Sequence, residues 1–251
     1  MSVAAAPELP VRVSIAYQNW HRFSRNPTAV IGSVIVIIVV AAALLAPWIA
    51  PYPDHVGAMV NFRARHLPPS AQYWFGTDNV GRDIFTRVLF GYRVSLLLAT
   101  VVLGIAVPLG ATLGLIAGYF GGWAEIVIMR LTDIALAIPP LVMALAVTAV
   151  LTPNLIHAML AIAALWWTWH TRLIFSITRT LRQQEFVEAA QTLGASRFHI
   201  LFRELLPNCA SAILVKTSLD FGFVILIGAA YNAESHHSAE SLKRLGHTLV
   251  G

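Results

Sequence analysis

Charge is scarce in this chain. Only 12% of its 251 residues are Asp, Glu, Lys or Arg, whereas a water-soluble domain carries about a quarter. A soluble globular domain is excluded on that ground. Hydrophobic residues reach 57%, which excludes a disordered chain, because so apolar a polymer collapses in water. Cysteine is almost missing: Cys209 stands alone, so no intrachain disulfide and no cysteine-cluster metal site can form, and the redox compartment is unread. The chain also lacks a Gly-x-x-x-x-Gly-Lys-Ser/Thr phosphate loop, a Gly-x-Ser-x-Gly elbow and a His-Glu-x-x-His pair, which makes ATP hydrolysis by the chain itself unexpected and a membrane enzyme the weaker class. Residues 1–28 carry no secretory leader, being mixed polar without the small-residue cleavage pattern after an apolar run.

What is present is a series of long apolar runs, the mark of a polytopic membrane protein. Between Arg25 and Asp54 there is no charge, and about 20 apolar residues cross the hydrocarbon layer as a helix. Val30 to Ile49 therefore reads as the first span, with Trp48 and Tyr52 at an interface. A second uncharged run, Val94 to Ala124, predicts a span ending near Gly118. The third run, Ile134 to Thr171, is too long for one crossing and contains the turn signal Thr152-Pro153-Asn154. It predicts two spans, 132–151 and 155–176, the second ending at Trp166, Trp167, Trp169, His170 and a snorkelling Arg172. A fifth span covers 209–230.

The net charge of +5 does not point to nucleic acid, since the arginines are dispersed between apolar runs. Membrane orientation accounts for them. The tail (Arg12, Arg22, Arg25) and the segment after span four (Arg172, Arg179, Arg182, Arg197, Arg203) fall on one side, which the positive-inside rule makes cytoplasmic. The asymmetry is modest, because the opposite loop at 52–93 also holds five arginines.

Between spans four and five lies the most informative segment, Glu185-Phe186-Val187-Glu188-Ala189-Ala190-Gln191-Thr192-Leu193-Gly194. Phe186, Ala189, Ala190 and Leu193 stand at i, i+3, i+4 and i+7, one apolar helix face. Gly194 suits a left-handed stop, Ser196 a cap on a second short helix from Arg197 to Leu206, and Pro207 its end. A short helix, a turn and another helix between two spans form a lever that could dock in a groove on a soluble partner. An amphipathic helix lying at the membrane interface without a partner is the alternative.

This segment resembles the EAA loop of ABC-importer permeases, through Glu188-Ala189-Ala190, Gly194, and Leu206-Pro207 at the family's spacing. It departs from the family in placing Glu204 where isoleucine is usual. Asn26-Pro27, Ala46-Pro47, Ala50-Pro51-Tyr52, Phe75-Gly76-Thr77-Asp78, Gly81-Arg82-Asp83, Gly91-Tyr92-Arg93-Val94-Ser95-Leu96, Gly118-Tyr119-Phe120-Gly121-Gly122-Trp123 and Asp133 narrow the resemblance to the second-permease type of the dipeptide/oligopeptide/nickel group, over residues 26–230. The resemblance implies that the loop is a coupling helix inserted into ATP-binding ABC subunits. It further implies a second permease subunit, an extracytoplasmic solute-binding protein and a bacterial inner-membrane location. Locally, Gly76 and Gly81 read as turn positions and Asp78 as a cap.

Gly110, Gly114 and Gly118, at four-residue spacing in span two, let another helix approach closely; a hinge is the alternative. Pro108 should kink that span, and Pro139-Pro140 the start of span three. Lys216 and Asp220, i and i+4 in span five, read as an intramembrane ion pair or as pore-lining residues. His157 and His170 read as interfacial or packing residues, and His236-His237 lie in a polar tail. No metal site or cofactor is expected.

The expected architecture is thus an all-α bundle of about five spans: a cytoplasmic tail at 1–28, a first helix at 29–51, an extracytoplasmic loop at 52–93, and a permease domain at 94–230 holding the coupling loop at 178–207. Residues 231–251 are polar and depart from the family, so a sixth span is expected to be missing through truncation. The expected function is peptide import as a membrane permease, with a transport-inactive truncated permease or an unrelated membrane enzyme as rivals.

Overall fold

The computed structural model describes residues 17, 20–21, 23–57, 59–150 and 155–249. Their regular elements are all helical, with one isolated antiparallel bridge between Thr77 and Asp83. The chain divides into two compact units, Met1–Val94 and Ser95–Gly251.

In the first unit, helix α1 (Pro27–Ile49) starts where Asn26 Oδ1 accepts from Ala29 N, with Pro27 supplying the preset φ of a first turn. One flank, Ala46 and Ala50, packs on Leu89 and Phe85, while Ile31, Ile35 and Ile38 stay exposed. The following loop is tied by its own polar groups. Thr77 Oγ1 donates to Ala64 O and accepts from Leu67 N, and Asp83 N donates to His55 Nδ1 at 2.9 Å. Gly76 and Gly81 have φ of 76° and 83°. At Gly81 a Cβ would sit 2.0 Å from Asn61 O, so only glycine fits. Asp78 accepts from Val80 N, Arg82 N and Arg82 Nε, each at 2.9 Å, and from Arg87. Burial pushes its carboxyl up, but those donors outweigh it and hold the pKa below the ordinary value.

Helix α2 (Ile84–Phe120) begins ten residues before the span expected at 94–118 and runs through Pro108 unbroken. Gly121 and Gly122, both at positive φ, turn the chain into α3 (Gly122–Leu136). The crossing expected at 132–151 is not one helix. It breaks at residues 137–139, and α4 (Pro140–Val150) has only 11 residues. Two adjacent prolines remove two amides and push the preceding residues out of helical geometry, so the chain stops rather than kinks. The turn expected at Thr152-Pro153-Asn154 lies outside the described residues. Helix α5 (Leu155–Leu181) follows, then α6 (Glu185–Thr192), a single turn α7 (Arg197–His199), a π-turn (Ile200–Leu205) and α8 (Leu206–Leu249). The backbone of 231–249, expected as a polar tail, continues α8.

Among the described residues, three helices are long and apolar enough to cross a membrane: Pro27–Ile49, Ile84–Phe120 and Arg197–Ala230. The sequence reading counted five. The difference lies in the break between α3 and α4 and in α5, 27 residues long but carrying Arg172 and Arg179. The second unit has two apolar cores. One joins Leu98, Val102 and Ala106 of α2 to Met159, Ile162 and Trp166 of α5 and Val224 of α8. The other is at the elbow.

Candidate functional site

Helix α6 ends in a Schellman arrangement. Gly194, at φ 81°, donates to Gln191 O, and Ala195 N reaches back to Ala190 O, both at 3.0 Å. Ser196 Oγ then accepts from His199 N at 3.2 Å and opens the next turn. Pro207 does not end that helix. The helix expected over Arg197–Leu206 becomes a π-turn in which Leu206 N bonds Leu201 O, five residues back. The wider turn accommodates a proline that has no amide to give and would crowd the carbonyl four residues earlier. Asn208 Nδ2 donates to the Glu204 carbonyl beside it.

The apolar stripe of α6 divides. Val187, off that stripe, is fully buried with Ile174 of α5, Leu115 and Tyr119 of α2, and Ile200, Leu205 and Cys209; Ala190 packs against the same core. Phe186, Ala189 and Leu193 face outward, Leu193 at 87% exposure, joined by Phe198 at 72%. Glu188 is exposed on a polar cleft with Arg179 and Arg182; Leu206 is half-buried and Pro207 exposed. The elbow is therefore clamped on one side into the junction of three long helices and bare on the other. Val187 was missed because its position falls outside the spacing of a single stripe; a helix gripped on two faces needs apolar residues on both.

Gly110, Gly114 and Gly118 lie against α5. A Cβ on them would stand 2.5 Å from Trp167 O, 2.7 Å from Thr171 O and 2.7 Å from Thr178 Cβ respectively. Helix α3 is held to α5 by two ion pairs, Arg179–Glu125 at 2.9 Å and Arg172–Asp133. Arg172 thus meets a carboxylate on a neighbouring helix rather than snorkelling free, a pairing that sequence distance conceals.

Lys216 Nζ and Asp220 Oδ1 form an ion pair on α8. Asp220 is only 2% exposed, and His170, fully buried, has Nε2 3.6 Å from Asp220 Oδ2. His170 is thus part of a charged cluster, not an interfacial residue. Leaving either charge alone within a membrane would cost about 2.5–3.5 kcal/mol on insertion scales. No group of three or more His, Cys, Asp or Glu side chains is placed to hold a metal ion among the described residues.

Apolar helices, a glycine-lined helix seam and a protruding elbow define a membrane transport permease. Comparison with known proteins gives the particular family. Residues 110–231 match the binding-protein-dependent transport system inner membrane component, and residues 14–69 the N-terminal transmembrane domain of oligopeptide transport permease C. A probable D,D-dipeptide transport system permease protein of Escherichia coli is 40% identical over 226 residues, 90% of this chain and 74% of the relative. A dipeptide transport system permease protein of Alkalihalophilus pseudofirmus is 39% identical over 213 residues, 85% of this chain and 69% of the relative. A glutathione transport system permease protein of Pectobacterium atrosepticum is 35% identical over 211 residues, 84% and 69%. The chain belongs to the family of binding-protein-dependent inner-membrane permeases, and is a permease subunit of an ABC importer.

Proposed function

We propose that this permease moves short peptides inward, and that its α6 elbow is the seat of an ATP-binding subunit. The dipeptide and glutathione systems named among its relatives support the solute class. One observation carries the coupling role: Phe186, Leu193 and Phe198 are bare on one side of the elbow, while Val187 and Ala190 on the other are locked into α2, α5 and α8. A solvent-facing apolar patch rimmed by Glu185, Glu188 and Arg197 suits a protein groove better than water. Closure of the ATP-binding subunits on the elbow shifts it as a rigid body, and the spans that grip Val187 follow. The permease forms and breaks no covalent bond. A second permease completes the path, a solute-binding protein loads it from outside, and the N-terminus and elbow face the cytoplasm.

Cysteine cross-linking tests this. Cys209 is the sole cysteine and fully buried, so a Leu193→Cys substitution supplies the reactive thiol. In membranes containing the partner subunits, that thiol is expected to cross-link to an ATP-binding subunit, with a yield that changes on adding ATP. Labelling of Leu193→Cys from the extracytoplasmic side, or no cross-link under any nucleotide condition, overturns the reading.

A further inference from the structure

A cavity of about 340 Å³ opens beside the ion pair of α8, between α5, α8 and the start of α4. Its walls are apolar and aromatic: Pro140, Trp166, Trp169 and Phe223, with Lys216 and Asp220 set among them. The hydrogen-bond inventory is unbalanced. Lys216 has three N–H donors and gives one to Asp220 Oδ1, its ammonium lying 5.9 Å from the Trp169 ring centre. Trp166 is 5% exposed, and its indole N–H has no partner. Both oxygens of Asp220 are engaged away from the cavity, Oδ1 by Lys216 and Oδ2 facing His170 at 3.6 Å. The unspent groups at the cavity are thus donors: an ammonium with two free N–H groups and a buried indole N–H. Buried donors left unpaired are costly, and a pair serving only to neutralise itself requires neither a cavity nor an unpartnered indole.

A two-oxygen acceptor attached to an apolar body matches this arrangement. Its oxygens take the two donors, and its hydrocarbon takes the aromatic walls. We propose that this cavity is a carboxylate-recognising subsite on the transport path. Lys216 and Trp166 hold the terminal carboxylate of the solute, and Trp169 and Phe223 hold the apolar group next to it. The identity of the solute as a peptide rests on the function proposed above; the chemistry of the subsite does not.

The test uses the full chain in lipid nanodiscs and two radiolabelled probes, 3-phenylpropionate and 3-phenylpropionamide, which differ only in the acceptor group. Equilibrium dialysis against empty nanodiscs is expected to show the acid bound at least about tenfold more tightly than the amide. Trp166→Phe, which keeps the ring and removes the donor, is expected to reduce that preference several-fold. The double variant Lys216→Met/Asp220→Leu removes both charges together, so neither is stranded in the bundle and folding is preserved; it is expected to bind acid and amide alike. Equal binding of the two probes by the unaltered chain, or a preference retained by the double variant, overturns the subsite. Failure of the peptide reading registers separately, as absence of dipeptide uptake by the assembled importer while the acid preference persists.

Discussion

Substitutions at Gly194 that differ in their tolerance of a left-handed backbone separate strain from steric contact at the elbow. No atom lies within 4 Å of where a Cβ on Gly194 would stand, and φ there is 81°. A side chain therefore meets open space, and the whole penalty is conformational. For alanine it is about 1–2 kcal/mol, enough to shift the population of the intact turn by a factor of about 5–30. Asparagine tolerates this region better and valine much worse. The expected order of function is thus Gly, Asn, Ala, Val. The assay is solute uptake per ATP hydrolysed by the reconstituted importer, alongside co-purification of the ATP-binding subunit and membrane level of the permease. A graded fall in uptake per ATP at constant membrane level fits the strain argument. Equal activity of Gly194→Asn and Gly194→Val refutes it, because size without conformational preference would then govern the position.

Gly114→Ala places a Cβ 2.7 Å from Thr171 O and is expected to cost about 1–3 kcal/mol, read as a lower melting temperature in detergent. Gly104→Ala, in the same helix with nothing within 4 Å, should leave it unchanged or raise it. Val187→Ala removes a fully buried anchor at about 2 kcal/mol, and should weaken coupling more than Phe186→Ala weakens folding, as limited proteolysis at the elbow would report. Asp78→Asn loses charge-assisted bonds worth about 1.5–3 kcal/mol each and should loosen the 52–83 loop in hydrogen exchange. Since the folded Asp78 pKa lies below the ordinary 3.8, its stabilisation is complete above that value and fades as pH falls through the folded pKa. Acid-induced loosening below pH 3.8 should therefore be present in the parent and absent in Asp78→Asn.

Much of the bundle is legible because lipid imposes simple rules: apolar runs of fixed length, glycines at four-residue spacing, punctuation by Gly and Pro. The Gly110–Gly118 stripe announces a close helix contact, but its partner, α5, is set by tertiary packing between positions about sixty residues apart. Periodicity is blind to hydrogen-bond registers. Pro207 reads as a terminator because sequence rules assume the i→i−4 ladder, and the π-turn evades that rule. Pro139-Pro140 reads as a kink because a single proline in lipid is often absorbed, whereas two in succession are not. His170 gave no signal of its own; its proximity to Asp220 exists only once α5 and α8 are packed.

The π-turn at Ile200–Leu205 also fixes an angular phase. An α-helix advances about 100° per residue, and a π-turn amounts to one residue slipped into the spiral. Everything downstream on α8 is rotated accordingly, Lys216 and Asp220 included. A single-codon deletion inside 200–205 would keep the composition of the span nearly intact yet swing its charged face about a quarter of the way round. In this protein the reading of the helix as a compass bearing, more than as a length of apolar chain, decides which neighbour each polar group meets.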